Sequence, residues 1–110
     1  MLPSKPVESA PDYVNSVNPT IAENFHTLRQ SLYAAGPIDF TTRELIMIAV
    51  FATAGYEMPF KNHAVRLAKA GVPLETARQA VLITFASTTT MVQLAAALSW
   101  LDDVYAASAS

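Results

Sequence analysis

Apolar positions in this chain recur at three- and four-residue steps, and no stretch alternates strictly between apolar and polar. Ile21, Phe25, Leu28 and Leu32 make one such stripe, the signature of one helix face. Asn18-Pro19 supplies an N-cap and a first-turn proline, and Gly36-Pro37 supplies a stop, so a helix is expected over 19–35. A second is expected from about Thr41 to Gly55. Its start, Thr41-Thr42-Arg43-Glu44, has capping-box spacing, and Leu45 to Phe51 are apolar all round, as in a central helix. Pro59 fits the first turn of a third helix that ends at Gly71, and Pro73 opens a fourth to about Ala86. Ser87 to Thr90 group small hydroxyl side chains that compete for backbone hydrogen bonds, which marks a break. Thr90 and Gln93 give a second capping-box spacing, and a last helix follows to about Ala106. Strand signals are missing. The expected fold is an all-α bundle of about five to six helices.

The flanks read differently. Prolines at 3, 6 and 11, with Asn15 and Ser16, make residues 1–17 an extended N-terminal arm whose Tyr13, Val14 and Val17 suit docking on a neighbouring subunit. Residues 18–106 are expected to form one helical domain, followed by a tail at 107–110.

Composition narrows the function. Hydrophobic residues make up 52% of the 110 and charged residues 15%, against about 25% charged in ordinary domains, so disorder is excluded. A small domain normally covers its large relative surface with charge, so the apolar excess predicts burial between subunits, in a homo-oligomer. A net charge of −2 lacks the basic face that nucleic-acid binding requires. Residues 45–54 are too short to span a bilayer, and 80–101 carry Thr84, Ser87, Thr88, Thr89, Thr90 and Gln93, so no membrane span is expected. Met1 is followed by prolines, not by an apolar run, so no secretory signal is read and a cytoplasmic protein is expected. Cysteine is absent, which removes disulfides, thiolate metal sites and thiol mechanisms from this chain.

The imidazoles are His26 and His63. His26, with Glu23 and Arg29 three residues to either side, reads as an ordinary surface histidine. His63 closes a richer stretch, Gly55-Tyr56-Glu57-Met58-Pro59-Phe60-Lys61-Asn62-His63. A carboxylate set against an imidazole is a workable acid–base pair near neutral pH, and Glu44 and Glu57 both qualify. Each has a plainer role: Glu44 closes a capping box, Glu57 lies just outside the third helix and complements its positive end, and His63 packs. Glu44 lies roughly 16 Å before Gly55 along its helix and His63 about 7 Å into the next, so the two meet only if the helices cross steeply. No histidine or carboxylate stands one turn from His63 on its own helix, which makes a poor metal-ligand set. Phosphate-cradling glycine loops and dinucleotide fingerprints are missing too.

Thr42-Arg43-Glu44-Leu45-Ile46, then Tyr56-Glu57 with His63 six residues after that glutamate, then Ala68-Lys69-Ala70-Gly71-Val72-Pro73 and Glu75 together resemble the carboxymuconolactone decarboxylase and alkylhydroperoxidase-D-like group. The resemblance covers about Phe25 to Tyr105. It implies a small all-helical subunit assembled as a trimer or hexamer. In the peroxidase branch two cysteines stand seven and four residues before the histidine; here Tyr56 and Pro59 hold those places, so thiol peroxide reduction is excluded. Glu44 matches that branch's relay glutamate, and Glu57 with His63 matches the decarboxylase branch. Where decarboxylases show a Tyr-x-Gly-x-Pro-like stretch, this chain has Ser87-Thr88-Thr89-Thr90-Met91. The implied activity is a cofactor-free lyase or isomerase acting on a small carboxylated lactone or ring acid. His63 is the acid or base, oriented by Glu44 or Glu57. Arg43, Lys61 or Arg66 is placed to hold a substrate carboxylate, and Tyr56 to hydrogen-bond a carbonyl or enolate oxygen. The alternative is a non-catalytic oligomer that binds a small ligand or a partner on the same fold.

Overall fold

A computed structural model describes residues 10–109. Its helices are α1 (Ala10–Val17), α2 (Pro19–Tyr33), α3 (Phe40–Ala54), α4 (Glu57–Lys69), α5 (Leu74–Thr84) and α6 (Met91–Ser108), with no strand among the described residues. None of these helices is long and apolar enough to cross a membrane. The described residues divide into two compact units between Pro37 and Ile38.

The first unit corrects the extended arm over residues 10–17, which are helical; the arm's earlier residues lie outside those described. Proline is tolerated in a first helical turn, where its missing N–H has no intrahelical partner, and Pro11 sits there beside Asp12, an acid at the positive end. The Asn18 side chain accepts from the Ile21 backbone N–H at 3.1 Å and starts α2. No residue of α1 or α2 is buried.

The second unit is built from α3 to α6 around one core. Its buried apolar positions fall at helical steps: Ile48 and Ala52 on α3, Phe60, Ala64 and Leu67 on α4, Ala77 and Val81 on α5, and Leu94, Ala97, Leu101 and Val104 on α6. α3 packs on α4, α5 and α6, and α6 also packs on α4 and α5. Two side-chain ties brace this arrangement. Gln93 Nε2 donates to the Thr53 carbonyl at 3.0 Å, and the Tyr105 hydroxyl donates to the Val72 carbonyl at 2.7 Å.

Helix ends account for the shifted boundaries. The side chain that caps α3 is Asp39, accepting from the Thr42 N–H at 2.8 Å. The expected box on Thr41 is therefore not used, and Glu44 is released from capping. Gly55 ends α3 in the left-handed region, φ 77°, where a Cβ is strained. α4 starts at Glu57, so this residue is the first of the helix and not outside it. The box on Thr90 forms in both directions, Gln93 N–H to Thr90 Oγ1 at 3.1 Å and Thr90 N–H to Gln93 Oε1 at 2.9 Å. α6 then continues to Ser108 and takes up the start of the expected tail.

Candidate active site

Glu44 lies on the buried stripe of α3, four residues before Ile48 and eight before Ala52, and is 0% exposed. His63 lies on the buried stripe of α4 between Phe60 and Ala64 and is 6% exposed. Where the helices pack, His63 Nδ1 is 2.9 Å from Glu44 Oε1. The early start of α4 makes this possible. Measured from the helix ends, Glu44 is about 15 Å back and His63 about 9 Å in, an offset that two side chains and the packing angle absorb.

Two arginines complete the cluster. Arg66 Nη1 donates to the same Oε1 at 3.3 Å, and Arg43 Nε donates to Oε2 at 3.1 Å. Moving a carboxylate out of water costs several kcal/mol, so the ionised form needs this set of donors. Burial pushes the Glu44 carboxyl up. The His63 hydrogen bond and, in the acid range where Glu44 titrates, its charge, with Arg43 and Arg66, pull harder, and the net result lies below the ordinary 4.5. Glu44 is thus a carboxylate that only accepts, and His63 Nδ1 carries the proton between them.

The other expected site residues divide. Arg43 and Arg66 join the cluster, and the Arg43 guanidinium also stands 5.0 Å from the centre of the Phe40 ring. Glu57 does not orient His63 here. Its exposed carboxylate pairs with Lys61 at 2.8 Å, one turn along the same helix, and Lys61 also approaches Asp103 at 3.9 Å. Tyr56 is 59% exposed at the N-cap position of α4 and makes no side-chain cap bond. Its ring centre is 6.5 Å from that of Phe51. Phe51, which sequence reasoning missed, stacks on the His63 ring at 5.4 Å and 29°. The signal was its place seven residues after Glu44, on the same helix face, hidden by a segment apolar on every side.

A family model for carboxymuconolactone decarboxylases matches residues 19–103. The chain belongs to the carboxymuconolactone decarboxylase family. No curated protein and no solved structure matches it. As a member of this family without cysteine, it offers His63 and Glu44 as its buried titratable pair. The described residues gather no group of three or more His, Asp or Glu side chains able to hold a metal ion.

Proposed function

We propose that this carboxymuconolactone decarboxylase family member is a cofactor-free lyase or isomerase of a small carboxylated lactone or ring acid, working by proton transfer at His63. The observation that supports it is the wholly buried Glu44 carboxylate on His63 Nδ1. A carboxylate at one imidazole nitrogen fixes the ring's tautomer and orientation and leaves the other nitrogen to exchange the proton. Nε2 is that nitrogen here. Loss of carbon dioxide from a lactone acid leaves a dienolate that must gain one proton on carbon, and His63 supplies it from Nε2 once that nitrogen has taken up a proton from the substrate acid or from solvent. Phe51 fixes the ring plane, Tyr56 is the candidate donor to an enolate oxygen, and the partly exposed Arg66 and Arg43 are the candidate contacts for a substrate carboxylate. Lys61, occupied by Glu57, is a weaker candidate. A homo-oligomer fits the exposed apolar side chains Ile46, Val50, Leu82 and Ile83 on α3 and α5.

Binding without turnover is the second reading. It is favoured by an apolar groove between α3 and α5 lined by Leu45, Ile46, Ala49, Ala80 and Ile83. An ultraviolet assay of carboxymuconolactone loss on wild type and His63→Ala separates the two, with sizing chromatography showing the same assembly for both. Turnover lost in the variant alone establishes the lyase. An intact wild type without turnover rejects that substrate and favours another small acid or binding alone.

A further inference from the structure

Arg66 does something at this site other than wait for a substrate. Its Nη1 reaches the same Glu44 oxygen as His63 Nδ1 and comes to 3.5 Å from Nδ1 itself. Because Glu44 is a carboxylate, Nδ1 is a donor, and a guanidinium is never an acceptor. Nη1 and Nδ1 are therefore two donors converging on one oxygen, and their own approach is repulsive. A carboxylate alone beside an imidazole draws it toward imidazolium. A guanidinium on that same oxygen competes for the charge and opposes it.

The other charged groups described on the helices packed against α4 add to the positive side or pair elsewhere. From α3 come Glu44 and Arg43, and Arg43 adds a second positive charge to the same carboxylate. From α6, Asp103 approaches Lys61 and Asp102 pairs with Arg78 of α5 at 2.6 Å. Glu75 is exposed at the start of α5 and Lys69 at the end of α4. With Glu44 already met by two guanidiniums, an imidazolium would be a third cation on one anion.

We infer that Arg66 is a positioning residue that holds His63 as the neutral, Nδ1-protonated imidazole, so that the site rests with Nε2 as a base. This rests on the reading of His63 as the group that moves the proton, and it gives that reading a direction: Nε2 takes up a proton, from the substrate or from solvent, before it gives one to carbon. It also assigns Arg66 to Glu44 in preference to a substrate carboxylate.

The test is the nitrogen-15 NMR spectrum of the histidines, titrated in wild type, Arg66→Gln, Arg66→Met and Arg66→Lys. It uses no substrate, so it stands or falls separately from the turnover assay. His26, on exposed α2, is the reference within the same molecule. In wild type His63 is expected to show the Nδ1-protonated tautomer at neutral pH. The neutral variants, of which Met keeps an apolar stem in place, are expected to raise its titration midpoint by about one pH unit. Arg66→Lys is expected to keep most of the wild-type value, and His26 is expected not to move. An Nε2-protonated tautomer in wild type overturns the inference, and so does a midpoint unmoved or lowered in both neutral variants. If both neutral variants unfold, with the His63 signals collapsing onto those of His26, Arg66 is a structural support and the inference also fails.

Discussion

Glu44 and Glu57 stand thirteen residues apart, and each carboxylate meets cationic partners, yet the two ion pairs live in different media. Glu57 lies on the outer face of α4, with its side chain 54% exposed, and meets a lysine whose side chain is 33% exposed. Water screens both charges, and their pairing decides little. Glu44 lies on the core stripe of α3 with no exposed surface and accepts from His63, Arg43 and Arg66. There each donor is needed, because an unmatched buried charge is costly. The same residue type thus serves as surface solvation in one place and holds an imidazole in the other. The difference is set by helix phase: Glu44, Ile48 and Ala52 share one face of α3, while Glu57 leads a turn whose buried member is Phe60.

The largest expected effect follows from removing the buried anion. Glu44→Ala leaves His63 and two guanidiniums around an empty site and is expected to lower stability by about 3 kcal/mol, read from the urea denaturation midpoint. A loss under about 1 kcal/mol would place Glu44 in the same class as Glu57 and erase the contrast.

Acid should reveal the same asymmetry. The folded-state carboxyl of Glu44 lies below its ordinary value of 4.5, so the unfolded chain binds the proton more readily. The stabilisation Glu44 provides is fully present above that ordinary value and is lost as pH falls through the lower folded value. Wild type is therefore expected to lose stability below pH 4.5 more steeply than Glu44→Gln, followed by denaturation at a series of acid pH values. Parallel acid limbs would mean that the donors around Glu44 do not favour its ionised form.

Much of this was legible in the residues, for identifiable reasons. Helices in the second unit announce themselves because their apolar positions keep helical spacing and their ends carry Gly55, Pro73 and the Thr90/Gln93 box, local signals that act through local geometry. α1 departs from the extended chain that proline and asparagine suggest, because proline in a first turn costs a helix nothing it would otherwise have. The Glu44–His63 pairing depends on how two helices pack and on where α4 begins, and neither is a local property. The spacing did hold a clue: a glutamate four and eight residues before buried positions is in phase with a core.

Capping tests that clue at a smaller scale. Glu44 is available to His63 because Asp39 takes the α3 cap, and the hydrogen bonds it accepts at Thr42 hold its carboxyl below the ordinary 3.8. Asp39→Ala is expected to lower the urea midpoint by roughly a third as much as Glu44→Ala, while Thr41→Ala leaves it nearly unchanged. If Thr41→Ala has the larger effect, the box on Thr41 forms after all and Glu44 is shared between capping and His63.

The smallest effect is expected at the exposed pair, and its smallness is informative. Glu57→Gln keeps the shape of the first turn of α4 while removing the charge that Lys61 meets at 2.8 Å. An exposed pair one helical turn apart contributes about 0.3–0.5 kcal/mol, and salt screens it. The variant is expected to shift stability by no more than about 0.5 kcal/mol at low salt, with the difference shrinking further in about 1 M sodium chloride, where the screening length is about 3 Å. In the proposed turnover assay it is expected to behave as wild type, since its carboxylate pairs with Lys61 and His63 with Glu44. A large loss of turnover at unchanged stability would show that Glu57 reaches His63 or the substrate during the reaction, and the orienting role would pass from the buried carboxylate to the exposed one.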